Sequence, residues 1–430
     1  MNEAIVLALV FALLLFAGVP ISFAIGTAAS AALLMSLDPA PAATVIAQRL
    51  ATGLDSFALL AIPFFILSGQ LMNRGGIARR LIDLAKVIVG RLPGGLAYVN
   101  VLGSMLFGSI SGSAVAAAAA IGGTMSPMMK REGYDREFSA AVNIAAAPVG
   151  LLIPPSNIMV VYSLASGGVS IAALFLAGYV PGILLGLALM LVAGVIAKRH
   201  GYPVGEKVGF GAGFRIFLAA LPSLLLVLIV MGGIILGWFT PTEASAVAVA
   251  YTFVLSVLVY REIPWSQLPK LLTDSAATTA IVLLLVGTSM GMSWVMSSAN
   301  IPQTVSQALV GLSDNPIVLF LIINLLLLVV GTFMDMTPAV LIFTPILLPV
   351  VTKLGMSPLH FGLVLIFNLC IGLCTPPVGS CLFVGCGVAG TTIAKIWRPL
   401  LPFFFAMFAV LMLVTYWPAL SLALPRALGF

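Results

Sequence analysis

Apolar runs of about 20 residues, separated by short polar loops, fill most of the chain. Runs that long, without two-residue alternation, predict membrane-spanning α-helices; a β-barrel would show alternating segments of about 10 residues. Ten windows are predicted to cross fully, near 3–19, 21–37, 57–73, 135–166, 171–197, 215–237, 241–260, 274–298, 358–390 and 394–424. Two further stretches, 94–130 and 315–352, are apolar but interrupted at their centres. The interruptions are Ser109-Ile110-Ser111-Gly112-Ser113-Ala114 and Thr332-Phe333-Met334-Asp335-Met336-Thr337-Pro338. Each half falls short of the ~20 residues a crossing needs. Both stretches are therefore predicted to be re-entrant helical hairpins that return the chain to the side it entered from.

Composition and charge support that picture. Hydrophobic residues are 61% of the chain and charged residues 7%, against about 25% charged in a soluble domain. The basic pI near 9.3 does not indicate a nucleic-acid partner, because the basic residues sit in short inter-helix loops. With the N-terminus outside, sixteen Lys and Arg, Lys207 among them, fall on one side and only Arg49, Lys353 and Arg426 on the other. This is the positive-inside bias of a membrane protein, and counting either hairpin as a crossing scrambles it. The N-terminus lacks a basic leader, carries Glu3 and has no small-residue cleavage site before Pro20, so it is predicted to be the first span.

Two of the long segments are broken in the same way. Gly150 is followed four residues later by Pro154-Pro155, and Gly372 by Pro376-Pro377. The 222-residue offset holds without a gap from 127 to 155, pairing Pro127 with Pro349, Gly133 with Gly355 and Ile144 with Ile366. It also sets Ser113 opposite Asp335. Five predicted crossings separate equivalent points, and an odd number inverts the second half relative to the first. An inverted repeat with paired interrupted helices is the usual sequence pointer to a transporter's midplane site. Unwound carbonyls there suit a hard cation such as Na+, and the following helix N-terminus suits an anion.

Asp335 is the strongest single candidate, since a carboxylate at bilayer depth is costly and by default functional. The hydroxyls around Ser111 and Ser113 can ligate an ion or bind a carboxylate, although small residues also make packing seams. Glu243, in Thr240-Pro241-Thr242-Glu243, fits ordinary helix-start chemistry, as do Asp55 and Asp274. Asn143 and Asn368 are placed to satisfy freed backbone groups, and Gly178 and Gly182 to allow close helix packing. Cys370, Cys374, Cys381 and Cys386 are expected to be small core residues, because no acid lies near them and His360 is the only nearby histidine. His200 and His360 receive no role. There is no metalloprotease His-Glu-x-x-His, no phosphate-binding Gly-Lys loop and no second deep aspartate. An enzyme is therefore not expected.

The ordered set Gly108–Ala116 (GSISGSAVA), Leu152–Asn157 (LIPPSN), Thr240–Ala248 (TPTEASAVA), Gly331–Ala339 (GTFMDMTPA) and Thr375–Ser380 (TPPVGS) resembles the large membrane subunit of tripartite ATP-independent periplasmic transporters, over essentially the whole chain. The resemblance implies an all-α polytopic membrane protein, an inverted-repeat elevator-type transporter with two re-entrant hairpins and two broken helices. It implies a moving body of 94–170 and 315–392. Scaffold helices and an arm would come from 1–93 and 171–314, and the last scaffold helix from 393–430.

It further implies import of a small organic anion (a C4-dicarboxylate, sialic acid, another sugar acid or a keto acid) driven by two or more Na+ ions, with no organic cofactor. A first sodium site would use Ser111, Ser113, Gly150, Ile153 and Pro155. A second would use Gly331, Thr332, Asp335, Gly372, Thr375 and Pro377. The anionic substrate would sit near Ser156, Asn157, Gly379 and Ser380. The expected partners are a separate small four-helix membrane subunit, a periplasmic solute-binding protein and the bilayer of the bacterial inner membrane, with a periplasmic N-terminus. A stand-alone two-hairpin anion transporter or Na+/H+ antiporter is the alternative; a non-transporting scaffold or intramembrane enzyme stands further off.

Overall fold

The computed structural model describes residues 3–205, 209–313 and 315–430; Lys207 of the charge tally lies outside them. Among the described residues the fold is built from α-helices. The first set comprises α1 (Glu3–Phe16), α2 (Ile21–Leu33), α3 (Pro39–Leu54), α4 (Ala61–Arg74) and α5 (Ile77–Val89). A hairpin follows, α6 (Gly95–Ser111) and α7 (Ala114–Arg131), then a broken helix in three pieces, α8 (Arg136–Ala146), α9 (Val149–Leu152) and α10 (Asn157–Ala165). The long α11 (Ile171–His200) closes the first half. The second half runs through α12 (Phe210–Ile235), α13 (Pro241–Phe253), α14 (Leu268–Ser298) and α15 (Ile301–Val310). Its hairpin is α16 (Pro316–Phe333) and α17 (Met336–Lys353), and its broken helix is α18 (Pro358–Gly372) and α19 (Ser380–Ala389). The last helices are α20 (Ile393–Tyr416) and α21 (Ala419–Ala427).

The 222-residue offset is written into the helix boundaries. Ser111 and Phe333 end the first hairpin helices, and Ala114–Arg131 matches Met336–Lys353 at both ends. Arg136 and Pro358 begin the broken helices, and Ile171 and Ile393 begin the long helices after them. Between the hairpins lie five spans by length and apolarity: the bent pair Arg136–Leu152 with Asn157–Ala165, then Ile171–His200, Phe210–Ile235, Pro241–Val259 and Trp265–Ser298.

The N-terminal windows differ from expectation. The segments read as full crossings at 3–19 and 21–37 form helices of 14 and 13 residues. At 1.5 Å per residue each is roughly 20 Å long, short of the ~30 Å hydrocarbon core. Gly18, at positive φ, and Pro20 end the first helix early, and Pro39 starts a separate one. Two short helices or two crossings both return the chain to its starting side, so the charge tally survives the change. Helices α3, α5 and α15 had no place among the predicted spans. In α5, Ile77, Leu81, Ile82 and Ala85 are buried, while Arg79, Asp83 and Lys86 keep to the other face, the pattern of a surface helix.

Packing divides the helices into two groups. Helices α2, α3, α4, α13 and α14 pack with one another, and the hairpins and broken helices pack with one another and with α11 and α20. The halves also cross over: α10 packs on α17, and α19 on α7. In each half a hairpin meets its broken helix glycine to glycine. A methyl group on Gly108 would sit 2.8 Å from the Cα of Gly150, and one on Gly372 would sit 2.6 Å from the Cα of Gly331. These pairs follow an offset of 223 on the hairpin side and 222 on the broken side, so the second hairpin has slipped one residue along its partner. Only glycine allows backbone to touch backbone this way.

Gly150→Val therefore forces two backbones apart, at a cost of about 1–3 kcal/mol or more for overpacking. Gly123, which faces open space, is the matched control. Thermal denaturation of the purified variants should show a drop of several degrees for Gly150→Val and little beyond a helix-propensity effect for Gly123→Val.

Candidate functional site

Where the two groups meet, a cavity of about 230 Å³ is lined by both hairpin tips and both breaks. Gly112 and Ser113 come from the first tip, Asp335 and Thr337 from the second, Leu151 and Asn157 from one break, and Leu373 and Ser380 from the other. Ile62 and Ile66 of α4 and Thr278 and Val282 of α14 form the opposite wall. Substrate-sized space thus lies against the junction of the two packing groups.

The tips are helix starts. Gly112 ends α6 in the left-handed conformation at φ 63°, which turns the chain into α7. Ser113 caps α7, its Oγ accepting from the backbone N–H of Ala116 at 3.2 Å. Asp335 occupies the equivalent cap position of α17 but makes no side-chain capping bond. Its side chain is exposed to the cavity, and among the described residues no Lys or Arg pairs with it. An arginine partner, the bland explanation for a deep carboxylate, is absent there.

Three serine hydroxyls near the site are buried without a hydrogen-bond partner: Ser111, Ser156 and Ser380. Buried polar atoms are usually paired; Ser380 lines the cavity itself, while Ser111 and Ser156 adjoin the lining residues Gly112 and Asn157, so their hydroxyls are available to a ligand there. Ser156 and Gly379 cap the short helices α10 and α19, whose first residues, Asn157 and Ser380, line the cavity. Two helix N-termini are thereby brought to one space.

Other predicted ligands lie elsewhere. Ile153 packs against Gly182 of α11, and the Leu152 carbonyl lies on Gly178. Pro155 is buried behind the break, and both Pro–Pro bonds are cis. Thr332 donates to the carbonyl of Val329 at 2.6 Å, and Thr375 to that of Ile371 at 2.8 Å. With Pro377 they line a different, apolar groove. Gly150, Gly331 and Gly372 serve the backbone contacts described above. Of the second expected sodium set, only Asp335 borders the central cavity.

The asparagines bind the hairpins to the breaks. Asn143 donates to the carbonyl of Ala118 on α7 at 2.9 Å, in room left by Gly122. Asn368 donates to the carbonyl and the side-chain oxygen of Asn324 on α16, both at 2.9 Å. Glu243 forms a capping box with Thr240. Asp274 pairs with Arg74 at 2.7 Å.

One role was not read from the sequence. Pro148 cannot donate to the carbonyl of Ile144, four residues back. The Cys374 thiol supplies that bond at 3.0 Å, while Cys370 donates to the Pro148 carbonyl at 3.6 Å. The proline four positions after Ile144 was the available signal. His360 lies buried between Ser421 Oγ, at 2.6 Å, and the Thr415 carbonyl, at 3.2 Å.

Orphaned and paired side chains should respond oppositely to truncation. Ser156→Ala removes an unsatisfied hydroxyl and should leave the melting temperature of ligand-free protein unchanged or higher. Asn368→Ala strands the side-chain oxygen of Asn324 and should lower stability by about 1–3 kcal/mol. Melting curves of both variants, recorded side by side, check this.

Comparison with known proteins bears on what this arrangement serves. The chain is 58% identical over 415 residues to the uncharacterized protein YgiK of Salmonella typhimurium, covering 96% of this chain and 95% of that one. It is 38% identical over 442 residues to the C4-dicarboxylate TRAP transporter large permease protein DctM of Rhodobacter capsulatus, covering 100% of both. Its fold is similar to that of the YdaH transporter of Alcanivorax borkumensis, with a TM-score of 0.64, 14% identity and 90% of each chain covered. The model of the DctM component of tripartite ATP-independent periplasmic transporters matches residues 8–420. The chain belongs to that family, as a multi-span permease component of a transporter and not an enzyme.

Proposed function

We propose that this chain is the large membrane subunit of a Na+-coupled importer of a small carboxylate-bearing solute. The observation that carries the reading is the single cavity shared by two hairpin tips, two helix N-termini and the facing wall of α4 and α14. The N-termini of α10 and α19 attract the carboxylate, near Ser156, Asn157, Gly379 and Ser380. C4-dicarboxylates, sugar acids and keto acids all present that group.

Coupling follows from charge. Asp335 borders the same cavity, so an anion entering beside it meets a like charge. A cation bound at the second tip by Asp335 would remove that repulsion, with backbone carbonyls of Gly331, Thr332, Gly372, Thr375 and Pro377 turning from the adjoining hairpin end and break to complete the site. A second cation fits the first tip, where the orphaned Ser111 Oγ joins Ser113 and carbonyls of Gly150, Ile153 and Pro155. Sodium thereby shifts the protein toward the state that holds substrate, by its differential affinity for that state.

Transport would proceed by sliding the hairpins and breaks against α4 and α14, as in an elevator. The moving body would be 94–170 and 315–392, with scaffold from 1–93, 171–314 and 393–430; α11 and α20 of that scaffold pack against the broken helices. The solute would be delivered by a periplasmic binding protein, with a separate four-helix subunit beside the scaffold. The charge asymmetry supports an inner-membrane placement with the N-terminus periplasmic.

Melting temperatures in sodium, potassium and choline at equal ionic strength test the coupling. A sodium-specific rise is expected, worth ~2.7 kcal/mol at a hundred times the dissociation constant, and Asp335→Ala should reduce it while the protein still folds. Equal stability in all three salts would overturn the sodium reading.

A further inference from the structure

The two halves diverge where the long helices α11 and α20 cover the breaks. At the 222-residue offset, Gly182 and Gly186 of α11 correspond to Phe404 and Phe408 of α20. The glycines let α11 close on its break: a methyl group on Gly182 would sit 2.6 Å from Ile153 Cγ1, and one on Gly186 would overlap Met105. On α20, Phe404 and Phe408 stand in place of those glycines and line a gap beside the second break. What remains is a groove of about 490 Å³ between α16, the Pro376-Pro377 break and the aromatic face of α20.

The groove is chemically finished for hydrocarbon. Prolines expose no N–H, and Thr332 and Thr375 turn their hydroxyls back onto Val329 and Ile371 of their own segments. The rim is apolar and open, with Val329 61% and Phe405 72% exposed. From Trp397 to Phe408 the lining runs roughly 16 Å along α20 at 1.5 Å per residue, close to the ~15 Å depth of one leaflet. At its Trp397 end stand Lys395 and Arg398, both exposed and in no ion pair among the described residues. Arg398 lies one helical turn before the lining residue Leu401, so the two share a face.

We propose that this groove binds one acyl chain of an anionic phospholipid, with the headgroup phosphate at Arg398 and Lys395. The lipid covers the second break as α11 covers the first. It is a resident of the permease, distinct from its cargo.

The probes are phosphatidylglycerol and phosphatidylcholine with dibrominated acyl chains, added to the purified full-length chain. The difference in fluorescence quenching between wild type and Trp397→Phe isolates Trp397. Phosphatidylglycerol should quench that component at least about twofold more strongly than phosphatidylcholine. The preference should vanish in Lys395→Gln/Arg398→Gln, and the quenching itself should fall in Val329→Phe, which narrows the groove. Equal quenching by the two lipids in wild type, or a preference that survives Lys395→Gln/Arg398→Gln, overturns the proposal. Loss of quenching on adding the small membrane subunit also overturns it, because a protein helix would then fill the groove. The surface charge variants keep the test decisive if Val329→Phe misfolds.

Discussion

A backbone carbonyl or N–H has no water to turn to inside a bilayer, and each unsatisfied group costs several kcal/mol. That constraint governs this fold, because its helices are broken at Pro154-Pro155 and Pro376-Pro377. Each break is made tolerable by a specific donor or by a specific absence of donors. Cys374 supplies the bond that Pro148 withholds from Ile144, and Thr375 binds Ile371 beside the second break. The double prolines remove N–H groups that would otherwise need partners. The same carbonyls, freed by the same breaks, are what the proposed sodium ions would use.

Glycine contacts turn these breaks into a common body. Because Gly108 meets Gly150 and Gly331 meets Gly372 at backbone distance, neither hairpin can shift on its broken helix without opening a void or a clash, and packed interiors tolerate neither. Asn143 and Asn368 add directed bonds across the same seams. The crossed packing of α10 on α17 and α19 on α7 joins the halves. What faces this body across the cavity is mostly apolar wall, Ile62, Ile66 and Val282, a surface that imposes few directional bonds on movement.

Much of this was legible in the sequence, because repeated breaks leave repeated letters. The offset linking Pro154-Pro155 to Pro376-Pro377 set Ser113 opposite Asp335, and the structure places both at the starts of equivalent hairpin helices. Asp335 was singled out by the cost of a carboxylate in an apolar stretch, and it borders the central cavity. Other features were hidden for physical reasons. An amphipathic helix such as α5 breaks the apolar run that marks a span, so a window of about 20 residues passes over it. Composition does not reveal where a helix stops, and Gly18 and Pro20 shortened α1 below what its apolar run implied. The direction of a hydroxyl is a three-dimensional fact. Thr332 and Thr375 carry the same letters whether they face an ion or their own helix, and here they face their own helix. Cys374 has a partner 230 residues away, beyond any local pattern.

The asymmetry of Ser113 and Asp335 has a consequence in charge. Under the proposed cycle, the moving body carries one fixed carboxylate and a solute that brings at least one more. Moving a net charge through the membrane field costs about 2.3 kcal/mol per charge per 100 mV, in addition to its desolvation. Two sodium ions balance Asp335 and a single substrate carboxylate, so the loaded body crosses neutral. Without them, Asp335 would give the empty body one net charge to carry back through the field. A second aspartate in place of Ser113 would demand a third cation for the same solute. Under that cycle, one serine and one aspartate at equivalent helix caps would set how many ions accompany a singly charged cargo, and would leave the empty body one charge to carry on its return.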